Sequence, residues 1–221
     1  MRHKLFGLLA VLALSNHTLA EIGPKQPLVT IDENLWVTFY DLPSRRFRDI
    51  RSDFVRREFA AAASNLGTSA NYLKVEADRA MPALAERLED VTAKLMWIAG
   101  NIDDASVTVA SLDSLFGRAH WLLAQHYLDM AKRSRDSQQY RNEGLYLWAT
   151  THHLERAVLW SNARIDRELH KTLERLRDLA NRLQEPKLAK KAAREKPIIQ
   201  AEKTLRELGR QIDRPVVLPV Q

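Results

Sequence analysis

From Val55 to Leu183 apolar residues recur mostly in steps of three and four, and this periodicity confines the chain to amphipathic helices. The first run is Val55, Phe59, Ala62/Ala63, Leu66, Ala70, Leu73, Ala77 and Ala80, seven turns along one face. A second is Leu112, Leu115, Ala119, Leu122/Leu123, His126 and Met130. The longest is Leu147, Thr151, Leu154, Val158, Ser161, Ile165, Leu169, Thr172, Leu176, Leu179 and Leu183, with one extra step of four near Ser161, a stutter that locally unwinds a coiled seam. Seven glycines and eight prolines are too few for the many tight turns of a β-rich fold.

Breaks between the runs set the helix boundaries. Pro43-Ser44 opens a helix whose pattern carries to Ala80, and Pro82 stands where a first-turn proline belongs. A second helix therefore spans Pro82 to Ala99, closed by Gly100-Asn101. A third begins between Asp104 and Ser111 and ends near Arg133, before the polar turn Ser134-Arg135-Asp136-Ser137. The fourth, Gln138 to Gln184, would reach about 70 Å if unbroken, overshooting its neighbours, so that its second half either extends alone or packs on the tail. Pro186 and Pro197 punctuate the rest of the chain, with a last short helix near Ile198 to Gln211. The expected fold is all-α, an antiparallel helical bundle of two helical hairpins over 44–184. It has an irregular N-terminal segment at 21–43, where Leu28–Ile31 and Leu35–Tyr40 are short apolar runs packed on the bundle, and a basic, partly helical C-terminal tail at 185–221. Phe59, Ala63, Leu66 and Leu73 recur 81 residues later as Tyr140, Gly144, Leu147 and Leu154, a spacing that a duplication or any two amphipathic helices would produce.

Residues 1–20 have the three parts of an export signal: basic Arg2 and Lys4, an apolar run from Leu5 to Leu14, and Thr18-Leu19-Ala20 before the cleavage point. The apolar run is shorter than the roughly 20 residues a membrane span needs, so no transmembrane segment is expected after cleavage. The product is expected in the periplasm or outside the cell. Without cysteine the chain has no disulfide, thiol nucleophile, Fe–S ligand or lipidated cysteine. Net charge is +6, and loss of Arg2 and Lys4 leaves +4. Because Arg and Lys alternate with Glu and Asp along most of the chain, no nucleic-acid stripe forms. The positive excess sits in residues 185–214, nine Lys/Arg against five Asp/Glu. No Gly-x-Ser-x-Gly and no phosphate-cradling glycine loop is present.

The five mature histidines cluster on the third and fourth helices, apart from His170. If those helices turn near residue 135, His120 comes level with Thr151, beside His152 and His153. Glu155 lies three residues beyond His152. A metal shell of His120, His152 and Glu155 for zinc, copper or iron is one expectation. Ordinary interhelical hydrogen bonds, with Glu155 paired to an arginine such as Arg118 or Arg156, are the other. The Glu-x-x-His order of di-iron bundles is absent. His126, at the centre of its apolar face, is either a hydrogen-bonded core histidine or a haem or metal ligand. Trp121 and Trp160 point away from the main stripes, to line a groove or to be covered by another element.

The pattern Phe54-x4-Phe59-Ala-Ala-Ala-Ala-x2-Leu66-x3-Ala70-x-Tyr72-Leu73, with Ala119-His120-x3-Ala124, resembles helical periplasmic proteins of the YfdX type. The resemblance implies helical hairpins, export and self-association, and carries over no functional residue. The function expected is that of an exported, non-enzymatic binding or interaction protein, partnered by its own copy or a periplasmic protein. The alternative is a metal- or haem-binding bundle using the histidines between helices three and four.

Overall fold

Helices supply all the regular structure of the described residues, which are 36–161, 163, 167–192 and 197–212 of a computed structural model. The expected leader, residues 21–35 and the Pro215–Pro219 end lie outside them. A 3-10 turn at Val37–Phe39 precedes α1 (Leu42–Val55), α2 (Phe59–Arg79), α3 (Pro82–Gly100), α4 (Val109–Asp136), α5 (Tyr140–Ser161), α6 (Arg167–Gln184), α7 (Pro186–Ala192) and α8 (Pro197–Ile212). The all-α bundle stands, and no described helix is long and apolar enough to cross a membrane. Pro43 and Pro82 both occupy first-turn positions, where the absent N–H would be unpaired in any case. Thr108 and Ser111 form a reciprocal capping box that fixes the start of α4.

α4 is the central rod, with α1, α3, α5 and α8 all packed against it. Its residues from Ala119 to Ala124 are all buried, which only a helix surrounded on several sides allows. α2 and α3 form the expected hairpin, and α4 and α5 form another. Three differences from the sequence expectation matter for function.

The helix expected from Pro43 to Ala80 is two helices. The chain turns at Arg56–Glu58, with Arg57 in the left-handed region at φ 61° and Glu58 N–H returning to the Asp53 carbonyl at 2.8 Å. Buried Asp53 fastens the corner, its carboxylate accepting from Arg56 at 2.6 Å and from Asn65 on α2 at 3.1 Å. The apolar step from Val55 to Phe59 crosses this corner by coincidence of spacing.

The long fourth helix also folds back. It stops at Ser161, whose hydroxyl donates to the Ala157 and Val158 carbonyls and so competes for the acceptors that continuing turns would use. α6 then runs antiparallel along α5, with Trp148 donating to Asn181 at 3.2 Å and Glu155 paired to Arg177. The stutter at Ser161 marks a reversal, not an overhang.

The tail, finally, belongs to the bundle. α8 buries Ala201, Leu205, Leu208 and Ile212 against α4 and α6, and the Trp121 indole N–H donates to the Leu205 carbonyl at 3.0 Å. A Cβ on Gly209 would stand 2.1 Å from Trp121 Cζ2, so only glycine lets α8 lie on the indole. The cover over Trp121 is thus the C-terminal helix.

Two helical glycines give a matched test of this packing. A Cβ at Gly144 would meet the Ala180 carbonyl oxygen at 2.7 Å, whereas one at Gly67 would meet nothing within 4 Å. Gly144→Ala is expected to destabilise by about 1–3 kcal/mol through overpacking, and Gly67→Ala to stabilise by up to about 1 kcal/mol through helix propensity. Denaturant unfolding of the two variants beside the parent checks both signs.

Candidate functional site

Helical spacing brings the polar residues of four elements to one buried line. On α2, Tyr72, Glu76 and Arg79 share a face at i, i+4 and i+7. On α4, His120 and Tyr127 lie seven residues apart on the face toward α5, with His126 beside them. α5 contributes His152 and His153, and the start of α1 contributes Asp41 and Ser44.

Glu76 is wholly buried, and both of its oxygens are filled. Oε1 accepts from the Trp36 indole at 2.8 Å and from the Tyr127 hydroxyl at 2.7 Å. Oε2 accepts from Arg79 Nη1 at 2.8 Å and lies 2.9 Å from His126 Nε2, an ion-pair distance reached outside hydrogen-bond alignment. Burial pushes the carboxyl toward protonation, but His126, Arg79 and Tyr127 together outweigh it and hold Glu76 below the usual carboxylate range. Since a carboxylate only accepts, Tyr127 gives its proton to Glu76, and Tyr72 must then be the donor in the 2.7 Å contact between the two hydroxyls. Burial drives both phenols well above their ordinary range.

His120 and His153 form the second centre. Both are completely buried, and their Nδ1 atoms stand 2.9 Å apart. Such a contact holds one proton, so one ring is the Nδ1–H tautomer and the other accepts. Neither Nε2 has a hydrogen-bond partner. Burial pushes both rings well below the ordinary imidazole value, and nearby positive groups add to this: His152 and Arg156 against His120, and His120, His152, His126 and Arg156 against His153. Tyr127 stacks on His153 with centroids 5.4 Å apart and 4° between planes, and Phe47 stands edge-on to His120 at 5.1 Å.

The sequence-derived residues therefore divide. His120 does face α5, but meets His153. His152 turns to the start of α1, with Nε2 2.6 Å from Ser44 Oγ and 3.1 Å from Asp41 Oδ1. Burial lowers its pKa against an opposing pull from Asp41. Glu155 is 39% exposed and paired with Arg177, because α6 folds back onto α5. His120, His152 and Glu155 thus do not converge, and among the described residues no three His, Cys, Asp or Glu side chains are grouped to hold one ion. His126 is a buried histidine whose Nε2 lies 2.9 Å from the Glu76 carboxylate without an aligned hydrogen bond. His170 is exposed beside Glu174. Glu76 was missed, although its place between Leu73 and Ala77 on the apolar face was the available signal.

This arrangement can hold charge and relay a change of protonation between helices. Its central atoms are closed to solvent. The chain matches no family model, no curated protein and no solved structure.

The paired imidazoles make stability depend on pH. In the unfolded chain each would bind a proton near pH 6.5, whereas the folded protein withholds it, so the unfolded state binds more protons below that pH and stability falls as pH falls. Each ring contributes a slope of about 1.4 kcal/mol per pH unit between 6.5 and its lowered value. His153→Gln is expected to flatten the slope between pH 6.5 and 5 by about that amount. Urea unfolding at several pH values checks this, and an unchanged slope contradicts it.

Proposed function

We propose that this is an exported, non-enzymatic binding and interaction protein that presents helical surfaces to its own copy or to a protein partner. The observation carrying this reading is the burial of Glu76, His120, His126, Tyr127 and His153, the side chains best suited to acid–base work. A group that cannot meet a substrate serves the fold instead. The surface offers contact residues that need no such chemistry, among them Met96 at 51% and Trp97 at 40% exposure, adjacent on α3. Export rests on the Arg2–Ala20 leader pattern, and mature protein recovered from the periplasm is expected to begin at Glu21.

A second reading, a metal-binding bundle, has one observation in its favour: two buried imidazoles face each other with unpartnered Nε2 atoms. Imidazole suits zinc and copper. With no third His, Cys, Asp or Glu side chain grouped with it among the described residues, this pair would need a further donor to complete a shell.

Sedimentation equilibrium over a hundredfold concentration range tests the first reading. Reversible association weakened by Trp97→Ala is expected. A strict monomer that also retains nothing from a periplasmic extract would remove its support. Metal analysis tests the second reading: stoichiometric zinc or copper lost in both His120→Ala and His153→Ala would establish it in place of the first.

A further inference from the structure

A cleft of about 1050 Å³ that shares no lining residue with the Glu76 and histidine centres lies where the end of α1 meets the start of α4 and the ends of α5 and α8. Two features set it apart. Val55 and Leu159 line it at 59% and 62% exposure, and they are among the most exposed large aliphatic side chains of the protein. Trp160, held edge-on to Phe116 at 5.2 Å, adds an aromatic wall. An apolar surface of this kind on a folded monomer marks a place that something covers.

The second feature is charge. Arg48, Arg51, Val55 and Arg56 fall at i, i+3, i+7 and i+8, so one stripe of α1 faces the cleft. Three guanidiniums line the space against a single carboxylate, Asp113. Arg51 is engaged with Asp113 at 2.9 Å, and Arg56 with Asp53 and Glu58 at 2.6 and 3.0 Å. Arg48 has no ion-pair partner among the described residues. The carbonyl ends of α1, α5 and α8 add partial negative charge at this end against the single N-terminus of α4, so the attraction for an anion comes from the side chains.

We infer that this cleft binds an amphipathic organic anion, its acidic head on Arg48 and its aliphatic body along Val55, Leu159 and Trp160. The volume matches the upper range of small-molecule sites, about 300–1,000 Å³. A purely apolar ligand would leave Arg48 unanswered, and a small inorganic anion would leave Val55 and Leu159 in water. The inference goes beyond the association reading and does not need it, because a strict monomer can carry the cleft.

The test uses the intact chain and dodecanoate, by calorimetric titration below its micelle concentration and by displacement of anilinonaphthalene sulfonate. Saturable uptake of one dodecanoate per chain is expected, with no comparable uptake of acetate or of dodecyltrimethylammonium. Arg48→Glu and Leu159→Asp alter exposed side chains and are expected to retain the parent's unfolding midpoint while each weakens binding about tenfold or more. Arg206→Glu, in the separate groove beside Trp121, is expected to leave binding unchanged. Absence of saturable uptake, equal uptake of the cationic amphiphile, or affinity indifferent to both cleft variants would each overturn the inference.

Discussion

A carboxylate with no solvent contact is tolerable only if the protein supplies what water would have supplied, and Glu76 places that requirement at the middle of the bundle. Its partners come from three places in the chain: Trp36 ahead of α1, Arg79 one turn along α2, and His126 and Tyr127 on α4. Each pairing fixes a rotation or a register. α2 cannot slide against α4 without leaving the carboxylate short of donors, and a buried charge left unpaired costs about 3–5 kcal/mol. The N-terminal turn is held by the same atom, with the Trp36 ring stacked on Tyr72 at 5.6 Å and Arg79 above it at 5.8 Å.

From this centre an aromatic line runs through the molecule. Tyr72 hydrogen-bonds Tyr127, Tyr127 stacks on His153, His153 meets His120, and His120 lies against Phe47. Phe47 stacks on Phe116 at 4.2 Å, and Phe116 carries Trp160 at the wall of the arginine-lined cleft. The one-proton contact of His120 and His153 sits midway. A second proton within that contact would set two N–H groups against each other at 2.9 Å, so the contact itself holds only one. Adaptable surface and closed polar core are thus parts of one packed unit.

The helices were legible in the sequence because burial of one face imposes its period, and Pro43 and Pro82 mark true starts, while the start at Thr108 falls inside the expected 104–111 window. Both reversals were hidden for a definite reason. Arg57 takes positive φ without being glycine, and neither turn carries a Gly or Pro signature. At Arg56–Glu58 and after Ser161 the apolar spacing runs on across the break, so periodicity alone reads through it. The level of His120 against the start of α5 could be computed from the turn, but choosing His153 over His152 needed the rotation of α5, which no spacing rule gives. Glu155 pairs with an arginine, as one reading had it, but with Arg177, which only a fold-back of α6 onto α5 brings within reach. Trp121 looked outward only until α8 was laid on it, a contact that depends on Gly209.

If the bundle is organised on Glu76, the carboxylate and its donors act as one unit. A double-mutant cycle in denaturant unfolding, using Glu76→Gln, Tyr127→Phe and the pair, measures this directly. Each single change is expected to destabilise, and the double change to cost less than their sum, with a coupling of about 1–3 kcal/mol. Strict additivity, or a Glu76→Gln protein as stable as the parent, would contradict it.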